Sequence, residues 1–338
     1  KSGTIGVIPF PTLSIFWYNF NALVNTTMLS SEIPGANLPP VLFDSLQVRQ
    51  AFSYAYNYGL YINQDIGNEV YNVTFATSYA GMLPAGMLYS QSIAQLNATT
   101  TGVPYFDLAK AATLWENFVN SSMAAKMGIT YTGGKDMYNG KPLDIPIFIF
   151  SADPVDVAGG SQWATYLQSF IAGGSFPVEP TAFTTLLANM VQGQNPMPIY
   201  ELGWAPDYPY PTDYLGPMAL PVNSSTYPGP NDMNPYWFNG NTSNPLKGLP
   251  SMVSQAQNLT YMVNDWDNAS SNPTVAEANY HMMNEMLVNM SFYVPLYQEY
   301  GFWIYNLKTN GSAYAQWEES VLTGMSGDLL YNYLYYNS

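Results

Sequence analysis

The apolar positions in the first part of the chain predict a long extended segment followed by a helix. Residues 3–23 are rich in β-branched and aromatic side chains and are interrupted by Pro9 and Pro11, which is typical of strand structure. Asp44 is the predicted N-cap of a helix, with Gln47 as its capping-box partner. Apolar residues then recur at helical spacing and form one face: Val48, Ala51, Phe52, Ala55 and Tyr56.

The middle of the chain predicts alternating strands and helices. A capped helix begins at Asp107, ahead of an apolar stripe. The elements that follow are a strand at 143–150, a helix at 161–173, an extended segment at 176–180, a helix at 182–193 and a strand at 198–204. Strands that alternate with helices of this length indicate βαβ units. The pattern therefore predicts an α/β fold with a mixed, largely parallel sheet.

The remaining segments are interpreted from their turn residues and periodicity. Residues 79–105 and 217–250 are rich in turn-forming residues and are predicted to be loops. The later elements are helices at about 251–265 and 274–290, a strand at 291–306 and a strand-like aromatic tail at 328–338. No internal repeat and no linker between autonomous domains is evident.

The strand at 198–204 leads directly into a Pro-rich turn, GWAPDYPYPTDYLGPM, at 203–218. Ligands of open α/β sheets bind beyond the carboxyl ends of strands, so this position favours a binding role. Aromatic faces cover apolar groups, and a few carboxylates fix the orientation of a ligand. The turn carries two carboxylates, Asp207 and Asp213, among its tryptophan and tyrosines. The alternative is a rigid turn that its tyrosines hold by packing.

Charged residues are scarce. They make up 9% of the chain, against about 25% in ordinary globular proteins. The formal net charge is −15, with only 8 Lys and Arg residues. Nucleic acid and anionic lipid need clustered basic residues, so both are poor partners for this chain. Because few carboxylates change their charge when the external pH falls, acid destabilises such a fold less. The composition therefore favours an acid-exposed protein, with compositional drift as the alternative.

The residue types that build most metal and catalytic sites are rare. The sequence has no cysteine and a single histidine, which excludes disulfides, thiolate sites and zinc sites of several histidines. That histidine, His281, lies in a helical pattern and is expected to be structural. No nucleotide-binding loop, serine-hydrolase elbow, zinc-protease motif or calcium loop is present. We therefore expect no catalytic residue, no metal and no cofactor.

The chain carries ten Asn-x-Ser/Thr sites, about twice the number expected by chance, which indicates a secreted and N-glycosylated surface. The sites are Asn25, Asn72, Asn97, Asn120, Asn223, Asn241, Asn258, Asn268, Asn289 and Asn310. No signal peptide and no run of about 20 apolar residues is found. The expected location is extracellular, at the cell surface, with any anchor outside this chain.

Four segments together resemble one protein family. They are FDSLQVRQAFSYAYN at 43–57, YFDLAKAATLWENF at 105–118, ELGWAPDYPYPTDYLGPM at 201–218 and YHMMNEMLVNMSFYVPLYQEY at 280–300. In this order they are similar to motifs of the extracellular solute-binding proteins (family 5) of peptide- and nickel-type ABC importers. The third segment resembles the GW-x-x-DY-x-x-P loop of that family.

The resemblance implies a periplasmic-binding-protein-like (type II) fold, in which two lobes close on a ligand. It implies that residues 1–290 form the C-terminal, ligand-binding lobe, and that residues 291–338 cross the hinge as strands packing on an N-terminal lobe outside this chain. In peptide-binding members the loop aspartate holds the α-ammonium group of the ligand, which implies this role for Asp207. Asp213 is then expected to cap the turn or the segment that follows. The other implied ligand-binding residues are Trp204, Tyr208 and Tyr210.

Some positions qualify the resemblance. Arg49 matches a structural arginine, and we expect it to bind carboxylates or carbonyl groups. Asn57 stands where the family usually has Asp, and no arginine precedes the GW motif to hold a peptide carboxylate. Because members that bind oligosaccharides share the loop, the ligand class stays open between peptide and sugar.

The sequence thus predicts a non-enzymatic, archaeal-type extracellular solute-binding protein that captures oligopeptides or oligosaccharides for an ABC importer. Its expected partners are the ligand, the ABC permease, N-linked glycans, and an N-terminal half or neighbouring copies. The alternative is a structural surface subunit, in which such a lobe is reused in a filament or lattice.

Overall fold

The computed structural model describes residues 5–66, 74–100, 105–150, 154–190, 195–219 and 272–306. The helix predicted at 251–265, the aromatic tail at 328–338 and most of the loop predicted at 217–250 lie outside the described residues. Strands form one large mixed sheet and one small antiparallel sheet. The strands are β1 (Ile5–Phe20), β2 (Ala76–Thr77), β3 (Ile129–Thr132), β4 (Lys135–Tyr138), β5 (Lys141–Pro142), β6 (Ile147–Phe150), β7 (Val178–Thr181), β8 (Ile199–Trp204) and β9 (Tyr293–Asn306).

The large sheet has the strand order β2-β9-β1-β8-β6-β7. Strand β6 pairs in parallel with β7 and with β8, as the predicted βαβ pattern requires. Strands β1, β9 and β2 add antiparallel pairings on the other side. The predicted α/β fold with a mixed sheet is confirmed. Its parallel part is the region from β7 to β8.

The two longest strands, β1 and β9, pair along most of their length, with irregularities between Pro11 and Ile15 and between Phe16 and Trp17. Strand β8 joins β1 only at Ile15–Phe20, next to the first part of β9. Beyond this region, the segment from Ile5 to Pro11 pairs with the segment from Tyr300 to Asn306 as a two-stranded ribbon. The segment predicted to leave the lobe at residue 291 therefore begins within the large sheet, and its crossing into a second lobe stays a prediction.

Helices cover the large sheet and connect its strands. They are α1 (Thr26–Glu32), α2 (Leu46–Tyr54), α3 (Tyr58–Leu60), α4 (Ile93–Thr99), α5 (Leu108–Val119), α6 (Ser122–Met127), α7 (Pro154–Gln168), α8 (Phe183–Asn189), α9 (Thr212–Ala219) and α10 (Pro273–Met290). The chain also forms a 3₁₀ turn at Leu42–Asp44 and a π-helical turn at Tyr61–Ile66. None of the helices within the described ranges is long and apolar enough to span a membrane.

The cap of α2 differs from the prediction by one residue. Ser45, not Asp44, is the N-cap, and its hydroxyl accepts a hydrogen bond from Val48 N at 3.4 Å. Asp44 instead ends the 3₁₀ turn and is buried, so its predicted capping box with Gln47 is wrong. Both neighbouring residues are good N-caps, and the preceding 3₁₀ turn decides between them. The predicted apolar face is confirmed, because all five of its residues are buried.

Among the other elements, some predictions are confirmed and others are wrong. Asp107 caps α5 by accepting a hydrogen bond from Lys110 N at 2.9 Å, as predicted. The loop predicted at 79–105 is wrong at Ile93–Thr99, where a capping box between Ser92 and Gln95 starts α4. The small sheet β3-β4-β5 was not predicted. Its turns, Gly133–Gly134 and Asn139–Gly140, have positive φ at both residues, which is the hairpin signal that these residue pairs favour.

The centre of the core is an aromatic cluster around Phe52 of α2, which we call the Phe52 cluster. The ring of Phe52 lies within 5.2–6.2 Å of five other aromatic rings. All six side chains are at most 3% exposed: Phe20, Phe43, Phe52, Trp115, Trp163 and Phe176. Edge-to-face pairs of this kind add about 0.5–1.5 kcal/mol each beyond the area that they bury. The cluster therefore joins β1, α2, α5 and α7 into one body.

Arg49 of α2 binds main-chain carbonyl groups of neighbouring segments. Its Nε donates to Met290 O at 2.9 Å and its Nη1 donates to Phe43 O at 2.5 Å. The guanidinium also lies 3.7 Å from the centroid of the Phe292 ring. The predicted carbonyl binding by Arg49 is confirmed, and it ties α2 to the start of β9.

Candidate functional site

A cavity of about 610 Å³ lies beyond the carboxyl ends of β6 and β8. This volume falls within the range of about 300–1,000 Å³ that is usual for small-molecule sites. The lining comes from five separate parts of the chain: Ser14, Phe16, Phe150, Asp156, Phe183, Gly203, Trp204, Ala205, Tyr297 and Glu299. Because β6 and β8 run parallel, both strand ends open at the same edge of the sheet, where the rule for open α/β sheets places a ligand.

One wall of this cavity is a continuous row of aromatic rings, which we call the aromatic row. Phe16 stacks on Tyr297 with 4.6 Å between centroids, and its edge faces Phe150 at 6.4 Å. Phe150 meets Phe183 at 5.6 Å, and Tyr297 meets Tyr61 at 5.9 Å. Phe183 is 51% exposed at one end of the row. The row is thus open to solvent at Phe183 and partly buried at Phe16 and Phe150, unlike the enclosed Phe52 cluster, although Tyr61 and Tyr297 are buried.

Gly203, the glycine of the GW pair, is required by the packing of Phe16. The two residues are register partners on β8 and β1. A Cβ atom added to Gly203 would lie 2.6 Å from Cε1 of Phe16, which is closer than real Cβ atoms come. Glycine therefore lets the Phe16 ring lie across β8 and form part of the cavity wall.

Trp204, predicted to bind ligand, lines the cavity. Its indole Nε1 donates to Asp213 Oδ2 at 3.3 Å. The same oxygen accepts a hydrogen bond from Asp207 N at 2.8 Å. One carboxylate therefore fixes both the indole and the turn that follows it, which confirms that Asp213 holds this turn. Burial raises the pKa of the Asp213 carboxyl above its ordinary value, although these two hydrogen bonds act against the rise.

The other predicted binding residues lie on the turn beyond Trp204. Asp207 and Tyr208 are exposed, and neither is among the residues lining the cavity. The Tyr208 hydroxyl is 3.1 Å from Thr212 Oγ1, and the Tyr210 ring packs edge-to-face on Tyr280 at 5.8 Å. Tyr210 therefore packs against α10. The first residues of this turn border the cavity and its later tyrosines pack, and the binding role of the turn stays a prediction.

A smaller cavity of about 360 Å³ lies next to the first. The two share Asp156, Tyr297 and Glu299 as lining residues. Phe75 and Phe302 border the smaller cavity and meet edge-to-face at 5.4 Å. The two cavities therefore form one groove, with a shared wall that carries two carboxylates.

Asp156 is held firmly in this shared wall. It lies in the first turn of α7, where the partial positive charge of the helix N-terminus stabilises a carboxylate. It is 2% exposed, and its Oδ1 accepts a hydrogen bond from the Tyr61 hydroxyl. Glu299, in contrast, is an exposed residue of β9. Desolvation by the surrounding protein raises the pKa of its carboxyl.

The sequence did not identify most of this site. The missed residues are Phe16, Phe150, Asp156, Phe183, Tyr297 and Glu299. The rule that selected Trp204 at the end of β8 also applies to Phe150 at the end of β6, so that signal was present. The contributions of β1 and β9 depend on the strand order. Among the described residues, no group of three His, Asp or Glu side chains is placed to hold a metal ion.

No protein-family model matches the chain, and no curated protein matches it. Solved structures do match. NikA from Brucella suis, in complex with Fe(III)-EDTA, is 14% identical with a TM-score of 0.62, and the match covers 99% of this chain and 53% of that protein. The oligopeptide-binding protein AppA from Bacillus subtilis, in complex with a nonapeptide, is 13% identical with a TM-score of 0.59, over 92% and 50% of the two chains.

A dipeptide-binding protein from Pseudoalteromonas sp. SM9913, in complex with Met-Leu, is 15% identical with a TM-score of 0.57, over 92% of this chain and 48% of that one. The chain thus spans about half the length of these structures. At such identities the likeness establishes the fold. The predicted type II binding-protein fold is confirmed, and the resemblance to solute-binding proteins holds at the level of structure.

Proposed function

We propose that this protein is an extracellular solute-binding protein, which captures oligopeptides or oligosaccharides and delivers them to an ABC importer. The observation that carries the proposal is the groove at the carboxyl ends of β6 and β8, lined by the aromatic row and by Trp204. Similar structures contain a nonapeptide and the dipeptide Met-Leu. The protein acts by binding and release rather than by catalysis, and an ABC permease is its expected partner.

The groove suits a solute of several residues. Its two cavities have volumes of about 610 and 360 Å³ and share one wall. Aromatic rings supply apolar contact for side chains or for the faces of sugar rings, while the carboxylates orient polar groups. The opposing side of the site would come from an N-terminal half or from neighbouring copies, as in a fold of two lobes that close on a ligand.

Asp207 remains the proposed orienting residue for the ammonium group of a peptide, or for hydroxyl groups of a sugar. Ala205, two residues before it, borders the cavity. The backbone N–H of Asp207 donates to the Asp213 carboxylate, so a fixed turn positions the exposed Asp207 side chain. Trp204 would cover the ligand, and Tyr208 and Tyr210 would lie at the entrance. Closure of a second lobe would bring ligand to these residues.

Calorimetric titration with a tripeptide mixture, and separately with malto- and cello-oligosaccharides, tests the proposal and separates the two ligand classes. We expect one class to bind, and Trp204→Ala to weaken that binding by about tenfold or more, as for a central aromatic contact. Tyr131→Ala is the matched control, because Tyr131 is 62% exposed on the β3-β4 hairpin and does not line the groove. No binding of either class would favour the structural subunit instead.

The role of Asp207 needs its own variant. Asp207→Asn removes the charge from an exposed side chain, so folding should be unchanged while affinity for a peptide with a free ammonium group falls. Acetylation of that peptide should then weaken binding to the wild type but not to the variant. Glu32→Gln, an exposed carboxylate on α1, is the control. Equal affinities of Asp207→Asn and wild type for the free peptide would rule out the role.

We also propose that the chain carries N-linked glycans at an acid-exposed cell surface. Four of the ten sites lie in described residues. Asn97 and Asn120 are exposed, whereas Asn25 and Asn289 are partly buried. Asn25 also caps α1 by accepting a hydrogen bond from Met28 N at 3.1 Å. Glycopeptide mass spectrometry of protein from its native source should find Asn97 and Asn120 occupied first, and their absence would count against a glycosylated surface.

A further inference from the structure

The shared wall of the groove gives it a charge preference. Asp156 and Glu299 border both cavities, so a solute that lies along the groove must pass these two carboxylates. Tyr297 lies in the same wall, between the two cavities. None of the described residues that line either cavity is Lys, Arg or His. The middle of the groove is therefore negative.

The two carboxylates come from separate elements and are held in different ways. Asp156 is fixed by the first turn of α7 and by the Tyr61 hydroxyl, and almost none of it is open to bulk solvent. Glu299 is placed by β9, where it pairs with Ala76 of β2, and its side chain is exposed. Together, the buried and the exposed carboxylate can accept several hydrogen bonds from one ligand group.

The aromatic rings in the wall that carries these two carboxylates suit a cation. Phe16 and Tyr297 stack at 4.6 Å in the cavity wall that also carries the carboxylates; Phe16 is partly buried and Tyr297 is 9% exposed. A cation held against an aromatic ring is attracted by the negative charge of its face, and more strongly where water is excluded. Among the described residues, Arg49 and Lys110 make contacts of this kind, with the Arg49 guanidinium 3.7 Å from the Phe292 centroid and Lys110 Nζ 4.0 Å from the Tyr54 centroid.

We propose that the groove selects peptides bearing a positively charged side chain, with Asp156 and Glu299 as counter-charges and the Phe16–Tyr297 pair in the wall beside them. The inference rests on the solute-binding function proposed above and narrows its substrate class. A peptide with an acidic side chain at the same position is repelled by both carboxylates. A neutral oligosaccharide gains only hydrogen bonds there.

Three tripeptides that differ at one side chain test the preference by calorimetry: Ala-Lys-Ala, its neutral isostere Ala-norleucine-Ala, and Ala-Glu-Ala. We expect the lysine peptide to bind about tenfold or more tightly than the norleucine peptide, since a hydrogen-bonded charge pair contributes more than a neutral contact. The acidic peptide should bind most weakly. Raising the salt concentration should reduce the difference, because Glu299 is exposed.

Glu299→Gln is the main variant, because its side chain is exposed and the substitution keeps its size. We expect it to reduce the preference for lysine over norleucine to about threefold or less. Asp156→Asn should act in the same direction, with its unfolding midpoint measured because Asp156 binds Tyr61. Glu116→Gln on α5 is the control for the loss of one negative charge outside the groove.

The outcomes distinguish this inference from the function on which it rests. If the lysine and norleucine peptides bind equally well, or if Glu299→Gln keeps the full preference, the charge selection is wrong while solute binding stands. If none of the three peptides binds and an oligosaccharide does, the peptide assignment fails and the charge selection fails with it. If neither class binds, the proposed function itself is overturned.

Discussion

The Phe52 cluster and the aromatic row are two ends of one layer, yet they serve different purposes. Phe20, Tyr18 and Phe16 alternate along one face of β1. Phe20 packs inside the Phe52 cluster, Tyr18 stacks on Trp163 at 4.9 Å, and Phe16 stands in the cavity wall. The rings of the Phe52 cluster are buried, whereas the aromatic row borders solvent at Phe183 and shares the cavity wall with the carboxylates of Asp156 and Glu299. Aromatic composition alone therefore does not distinguish core from site. How far each strand of the sheet extends decides whether its aromatic residues are enclosed or line a cavity.

The largest expected effect compares the two ends directly. Phe52→Ala should lower the free energy of unfolding by about 3–5 kcal/mol, because it leaves a cavity among five rings. Phe16→Ala should cost roughly 1 kcal/mol, since Phe16 is only partly buried, but it should weaken ligand binding by about tenfold. Urea unfolding and calorimetry measure the two quantities. Equal losses of stability would remove the distinction between core and row.

The next effect concerns a carboxyl group at the edge of the core. Burial raises the pKa of Asp44 to about 8, and the nearby Arg49 only partly opposes that rise. The folded state therefore holds this proton more tightly than the unfolded state, so stability is greatest at acid pH. It falls as the pH rises from about 4 to about 8, by up to about 1.4 kcal/mol per pH unit from this group.

Asp44→Asn should remove this dependence and stabilise the protein at neutral pH. Urea unfolding between pH 4 and pH 8 measures it, with Glu116→Gln as the control on an exposed helix face. The same pH profile in Asp44→Asn and wild type would contradict the assignment. The pKa values of Asp136, Asp144, Asp213 and Glu299 are also raised, mainly by desolvation. Their direction agrees with the acid-exposed environment inferred from the scarcity of charge.

An intermediate effect is expected at the contact between β8 and the row. Gly203→Ala should displace the Phe16 ring, lower stability by about 1–3 kcal/mol and weaken ligand binding. Gly59→Ala is the matched control, because an added Cβ there meets only Asn57 Oδ1, at 4.0 Å. A Gly203→Ala variant that binds ligand with wild-type affinity would show that the position of Phe16 does not matter for the site.

The smallest effect loosens the core without touching the row. Ser45→Ala removes the N-cap of α2 and should cost about 1 kcal/mol of stability with ligand affinity unchanged. Thermal unfolding together with one peptide titration measures both. A loss of affinity as large as that of Phe16→Ala would mean that the two regions are not separable.

Local chemistry made part of this structure predictable. Periodicity located α2, α5 and α10, and Asp107 was identified as a cap because Asp precedes a clear apolar stripe. The prediction of Asp44 as the N-cap of α2 was wrong because Asp and Ser are both good N-cap residues and the 3₁₀ turn, which packing sets, places Ser45 at the cap. The order of strands was also beyond the pattern, since antiparallel pairing of β1 with both β8 and β9 arises from contacts distant in sequence.

The site follows the same division. Trp204 was found because the strand before it and its Pro-rich turn are contiguous in sequence. Phe16, Asp156 and Glu299 belong to three segments more than 100 residues apart, and only the sheet brings them to one groove. The prediction that Asp213 holds the turn is confirmed by its hydrogen bond from Asp207 N, whereas the role of Asp207, which the family resemblance implies, stays a prediction.

Hydrogen exchange with and without bound solute tests the central claim most directly. A saturating peptide or oligosaccharide should slow exchange of backbone amides at 147–150, 199–205 and 297–302, which border the groove, and leave α5 and the β3-β4 hairpin unchanged. Protection confined to α5 or the hairpin, with the groove segments exchanging as in the free protein, would contradict the assignment of the aromatic row as the binding site.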